Sequence, residues 1–120
     1  LSIDEATGII IGNDQGNGKL TAVRAIGDNE IKRLWQIDLK TSARPVIVSD
    51  REMVYANDFI DGSDHLVVLD LMTGEEMLRV TTPGTRATIS TIIVSAENEV
   101  YFGSNEPGQP IGLFHRIYVP

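Results

Sequence analysis

Apolar residues along this chain come in short runs, not at helical spacing. Gly8-Ile9-Ile10-Ile11-Gly12 is β-branched and bounded by glycine, and the turn-forming Asn13-Asp14-Gln15-Gly16-Asn17-Gly18 follows it. That is the pattern of a buried strand entering a hairpin. Residues 20–26 supply the partner strand, and Gly27-Asp28-Asn29 turns the chain again. Two patterns overlap in 31–39. Ile31, Leu34 and Trp35 fit one face of a helix behind an Asp28 cap, whereas Trp35, Ile37 and Leu39 alternate with Gln36 and Asp38. The strand is preferred because the internal repeat described below requires it. Residues 45–48, 53–56, 66–71 and 77–82 then read as four short strands separated by Ser49-Asp50-Arg51, the polar stretch 57–64 and Thr73-Gly74. After Pro83-Gly84 come strands at 89–94, 100–103 and 113–119, the last two separated by a turn containing Pro107-Gly108.

The clearest stretch is Val68-Leu69-Asp70-Leu71-Met72-Thr73-Gly74-Glu75-Glu76-Met77-Leu78. Its two arms are rich in Val, Leu and Met, and Gly74 supplies the positive φ that a tight reversal needs, so it predicts a β-hairpin. Asp70 is expected to cap the turn by accepting backbone N–H groups near Thr73-Gly74.

The strands repeat. Asn13-Asp14 and Asn57-Asp58 lie 44 residues apart, Glu52-Met53-Val54-Tyr55-Ala56 and Glu99-Val100-Tyr101-Phe102-Gly103 lie 47 apart, and Trp35-Gln36-Ile37-Asp38-Leu39 precedes Leu78-Arg79-Val80-Thr81-Thr82 by 43. Offsets of this size match the period of propeller blades. A four-stranded blade is apolar on both faces and hides them only against neighbours, and closed propellers need roughly four to eight blades. The expected fold is therefore all-β: a β-propeller segment of about two and a half four-stranded antiparallel blades, divided at 1–43, 44–86 and 87–120. A β-sandwich or an incomplete β-solenoid is the alternative. Such a segment needs the remaining blades of a longer protein, or further copies of itself, as its partners.

The hairpin resembles the repeats of the pyrroloquinoline-quinone (PQQ)-like β-propellers, whose turn reads roughly Ala-x-Asp-x-x-Thr-Gly-Lys/Glu-x-x-Trp. Asp70, Thr73, Gly74 and Glu75 match, while Val68 replaces the small residue and Leu78 the tryptophan. In that family the repeat tryptophan stacks between blades and is received by the Asp and Thr-Gly of the next hairpin. The resemblance gives Trp35, Asp70, Thr73 and Gly74 this blade-docking role. The first repeat departs from the pattern, with Arg24 where Asp70 stands and no Thr-Gly turn. The resemblance implies two functions. One is a non-catalytic scaffold or binding module for a protein or small ligand. The other is a slice of a PQQ-dependent alcohol or sugar dehydrogenase with quinone and calcium in the channel. The first is preferred, because no catalytic or quinone-binding set is found residue by residue. Many proteins of this kind are periplasmic or extracellular, and the same location is expected here.

Composition narrows the partners. The 120 residues carry a net charge of -7, which repels nucleic acid and anionic membrane surfaces. No run approaches a membrane span, and the absence of cysteine removes thiolate metal sites and nucleophiles. Asp58, Asp61 and Asp64, with Asn57, place several oxygen donors in one expected loop, a weak candidate for calcium. Their spacing is not that of an EF-hand, and a solvated hairpin loop is the favoured reading. Arg44 and Arg86 stand at corresponding blade entrances, positions that would face an anionic ligand in a closed channel, but two surface arginines are the preferred reading. His65 and His115 have no catalytic motif around them.

Overall fold

The computed structural model describes residues 1–82, 92–105 and 112–119. They form β1 (Ser2–Asp4), β2 (Ile9–Asp14), β3 (Lys19–Gly27), β4 (Glu30–Asp38), β5 (Val46–Val48), β6 (Met53–Ile60), β7 (Ser63–Asp70), β8 (Glu76–Thr81), β9 (Ile93–Val94), β10 (Glu99–Asn105) and β11 (Gly112–Tyr118), with a 3-10 turn at Ser49–Arg51. These make three antiparallel sheets, ordered β1-β2-β3-β4, β5-β6-β7-β8 and β11-β10-β9. The protein is all-β, and small consecutive sheets of this kind suit a sandwich as well as a propeller. Their first strands adjoin, β1 beside β5 and β5 beside β9.

Residues 31–39, with their two overlapping patterns, lie almost wholly in strand β4. The alternation of Trp35 and Ile37 with Gln36 and Asp38 outweighs the helical spacing because β3 offers a full-length partner, pairing Ala22 with Trp35 and Leu20 with Ile37. The 68–78 hairpin also forms as its turn chemistry dictates, with Val68 opposite Leu78 and Leu69 opposite Glu76. A bulge leaves Leu34 of β4 as the extra residue opposite the Ala22–Val23 step, and another leaves Met77 of β8 opposite the Val68–Leu69 step. Trp35 and Leu78, the residues 43 apart in the sequence, thus occupy the same place in their sheets.

Two expectations are corrected. The stretch 57–64 is not a loop: β6 runs on to Ile60, β7 begins at Ser63, and the turn is Asp61-Gly62 alone. Both turn residues have positive φ, 53° and 77°, the backbone that matches the twist of a two-residue hairpin. The sequence pattern also contains no β1. Its pairing of Ser2 with Ile11 and Asp4 with Ile9 is secured by a turn in which Asp4 accepts from Thr7 N and Gly8 N donates to Asp4 O. Arg86, Pro107-Gly108 and the start of the 89–94 strand lie outside the described residues.

The core has two layers. Ile9, Ile11, Leu20, Ala22, Trp35 and Leu39 pack against Val54, Ala56, Val67, Leu69 and Leu71. On the opposite face of the middle sheet, Tyr55, Leu66 and Val68 pack against Ala43, Ile92, Val100 and Val119. Strand alternation divides 54–56 and 66–69 between the two layers. Each fully buried Val, Leu or Ile among them contributes roughly 1.5–3 kcal/mol relative to exposure. The middle sheet is therefore covered on both sides, while the flanking sheets leave Ile3 (62%), Ile31 (66%), Ile93 (55%) and Tyr118 (66%) exposed.

At the junction between the first two sheets one buried side chain adds a hydrogen bond to the apolar packing. Trp35, 7% exposed, donates from Nε1 to Leu71 O at 2.9 Å and lies against Gly74. Asp70 Oδ1 accepts from Met72 N, Thr73 N (both 2.9 Å) and Thr73 Oγ1 (3.1 Å), which fixes the turn that receives the indole.

Candidate functional site

The connector at 39–43 joins the first sheet to the second and is tied to both. Leu39 N donates to Gly18 O at 2.9 Å in the β2–β3 turn, and Asn13 and Gln15 reach Thr41 O and Ser42 O with their side-chain amides. On the other side, Lys40 N donates to Asp58 Oδ1 (2.8 Å) and Phe59 N to Lys40 O (3.0 Å). Thr41 Oγ1 donates to Asn57 O, and Ser42 N and Ala43 N both donate to Asn57 Oδ1, at 3.0 and 2.9 Å. Asn57 is wholly buried, and its amide nitrogen donates to Ser42 Oγ and Asp64 Oδ1. One side chain thus satisfies a chain segment that crosses it, as buried polar groups require.

Between these supports lies a cleft of roughly 320 Å³ lined by Gln15, Asn17, Gly18, Lys40, Ser42 and Phe59. A second hollow, roughly 270 Å³, shares Asn17, Gly18 and Lys40 and extends to Asp38, Asp58 and Ile60. The carboxylates around it are engaged: Asp38 with Lys19, Asp14 with the Asn17 amide, and Asp58 with Arg79. The Arg79 fork holds Glu76 by two bonds of 2.8 and 3.0 Å and Asp58 by one of 2.9 Å. The hydrogen bonds from Arg79 hold the Glu76 carboxyl below its ordinary value of 4.5, and both carboxylates raise Arg79 further. On the far face, burial pushes His115 down against the opposing pull of Asp64.

The Glu76 shift has a sign that can be tested. A carboxyl depressed in the folded state contributes stability that is present above pH 4.5 and lost as pH falls through the folded value. Arg79→Gln should flatten this acid limb of the urea midpoint. It should also cost about 2–3 kcal/mol at neutral pH: the Glu76 pair is 44% exposed and screened by solvent, but Asp58, 3% exposed, loses its cation. An acid limb as steep as that of the wild type would show that Arg79 is not the cause.

The calcium expectation is corrected by strand geometry. Asp58 pairs with His65 across the hairpin, and Asp64 with Phe59, so the two carboxylates point to opposite faces of the sheet. Asp61 stands apart at the exposed turn. Among the described residues no group of three His, Cys, Asp or Glu is placed to hold a metal ion. They do not fit the calcium of a quinone site. Arg44 is exposed beside Leu1, Ile3 and Pro45, near the adjoining first strands, and Arg86 lies outside the described residues. His65 Nδ1 is 3.0 Å from Asp58 O. Sequence reasoning gave no role to Lys40 or Phe59 and counted Asn57 only among the oxygen donors of a loop, since the partners that assemble them are distant in the chain.

No family model matches this chain, and no curated protein matches it. The cleft is read on its own chemistry.

Proposed function

We propose that this chain is a non-catalytic segment of a PQQ-like β-propeller, acting as a scaffold and binding module for a small ligand or protein at the cleft over residues 39–43. The observation that carries the reading is the cleft itself. Its floor is backbone held by hydrogen bonds from two sheets, so its lining side chains are presented on a rigid frame. Support for the propeller part comes from the three consecutive antiparallel sheets, their adjoining first strands and the seat of Trp35 on Gly74. The apolar residues left on both outer faces favour further blades, or further copies of the chain, as neighbours.

Melting curves with a panel of small polar solutes test the binding reading. A solute that fills the cleft should raise the melting temperature, and Phe59→Leu should remove the rise. PQQ with calcium should leave both the curve and the quinone's visible band unchanged. A shifted band would replace the module with the dehydrogenase, and a panel without any cleft-dependent rise would end the small-ligand reading.

A further inference from the structure

We infer that Met72 is an oxidation site for peroxide, and that its sulfoxide, bonded to Arg24, tightens the junction between the first two sheets.

The two residues meet across that junction. Ile9 and Ile11 of β2 oppose Arg24 and Ala22 of β3, so Arg24 lies on the face of the first sheet that packs on the second. Met72 stands in the β7–β8 turn, where its N–H donates to Asp70 Oδ1 at 2.9 Å, and Gly74 of the same turn receives Trp35. Arg24 Nη2 donates to Met72 Sδ at 3.9 Å. A thioether sulfur is a weak acceptor. Nothing better meets this guanidinium among the described residues: Arg24 Nε is buried without a hydrogen-bond partner, and Arg24 makes no ion pair.

Arg79 shows what this edge of the fork does when oxygen is supplied. Its Nε and Nη2 together hold Glu76, at 2.8 and 3.0 Å, and such charge-assisted bonds are the strong ones. On Arg24 the same edge has sulfur against Nη2 and no acceptor against Nε. An oxygen placed on that sulfur stands where the fork lacks one.

Met72 is 37% exposed, so a peroxide reaches its sulfur, and the Asp70 bond to its N–H keeps it in place beside Arg24. The sulfur lone pair bonds to one peroxide oxygen as the O–O bond breaks, and the departing hydroxide takes the proton of the transferred oxygen. The thioether is oxidised to the sulfoxide, hydrogen peroxide is reduced to water, and a methionine sulfoxide reductase restores the thioether. A new polar oxygen disrupts a buried methionine. At this rim it gives a cation the acceptor it lacks. Met77, 55% exposed on β8, has no hydrogen bond to its sulfur among the described residues, so its oxidation brings no such gain.

Peroxide treatment of the 120-residue chain, followed by peptide mapping and melting curves, tests this. Met72 is expected to gain an oxygen, and oxidation should raise the melting temperature of the wild type by about 4 °C more than that of Met72→Leu. That comparison removes the effects of oxidising Met53 and Met77. Arg24→Leu, which keeps apolar bulk without a donor, should abolish the difference, and a sulfoxide reductase should reverse it. In the wild type the Arg24 Nε proton should exchange with water more slowly after oxidation, a reading that needs no variant. A Met72 that stays reduced while Met77 is oxidised would overturn the site. An oxidised Met72 without the gain, a gain that survives in Arg24→Leu, or an unchanged Nε exchange rate would overturn the bond to Arg24.

Discussion

Gly74→Ala is expected to lower stability by about 3 kcal/mol, a large effect for the addition of one methyl group. Two costs add. Gly74 has φ +74°, a conformation that costs an L-residue about 1–2 kcal/mol. A Cβ there would also lie 2.6, 2.8 and 2.9 Å from Cδ2, Cε3 and Cγ of Trp35, and overpacking of this kind costs about 1–3 kcal/mol. The indole cannot simply withdraw, because its Nε1 is committed to Leu71 O. Thermal unfolding should show a fall of roughly 10 °C or more. A double-mutant cycle separates the two costs. Trp35→Ala alone should cost about 3–5 kcal/mol. In its background Gly74→Ala should retain only the backbone part, about 1–2 kcal/mol. Additive losses would mean that the indole and the turn do not touch.

Asn57→Ala should cost about 3 kcal/mol for a different reason. The side chain accepts from Ser42 N and Ala43 N and donates to Ser42 Oγ and Asp64 Oδ1. Its removal strands two backbone donors and takes a partner from a buried carboxylate, and each unsatisfied buried group costs about 1–3 kcal/mol. Guanidinium unfolding measures the loss. Asn57→Asp is the sharper variant, since it keeps the acceptors but sets a second carboxylate against Asp64. It should be the less stable of the two at neutral pH and should recover on mild acidification, as one of the pair retains a proton. A pH-independent deficit would remove Asp64 from the account. Because Asn57 also fixes the backbone below Lys40 and Phe59, both variants should weaken any ligand of the cleft.

The hairpin 68–78 was legible because everything that shapes it is local. Asp70 caps its own turn, Gly74 supplies the positive φ, and the arms pair with each other. Trp35 was harder, since its segment carries both a helical and a strand pattern; the repeat and a full-length partner in β3 decide it. Asn57 and Asp58 read as loop residues because such side chains usually satisfy nearby turn backbone. Here the backbone they satisfy belongs to residues 40, 42 and 43, 14 to 18 positions away, and strand continues through them. The same distance hid the cleft. Nothing local distinguishes Lys40 in Lys-Thr-Ser-Ala-Arg from any polar connector, and only the pairing of its carbonyl with Phe59 N brings the two side chains together.

The middle sheet, buried on both faces, also orders how the molecule opens. Exchange of β6 and β7 amides with solvent requires both core layers to separate, whereas the exposed residues 30–33 of β4 can fray without loosening Trp35 from the β7–β8 turn. The slowest-exchanging amides should therefore fall in residues 54–57 and 66–69, where they report the global free energy of unfolding. Since each core layer is shared with a flanking sheet, the three sheets should lose their packing together, after their exposed edges have frayed.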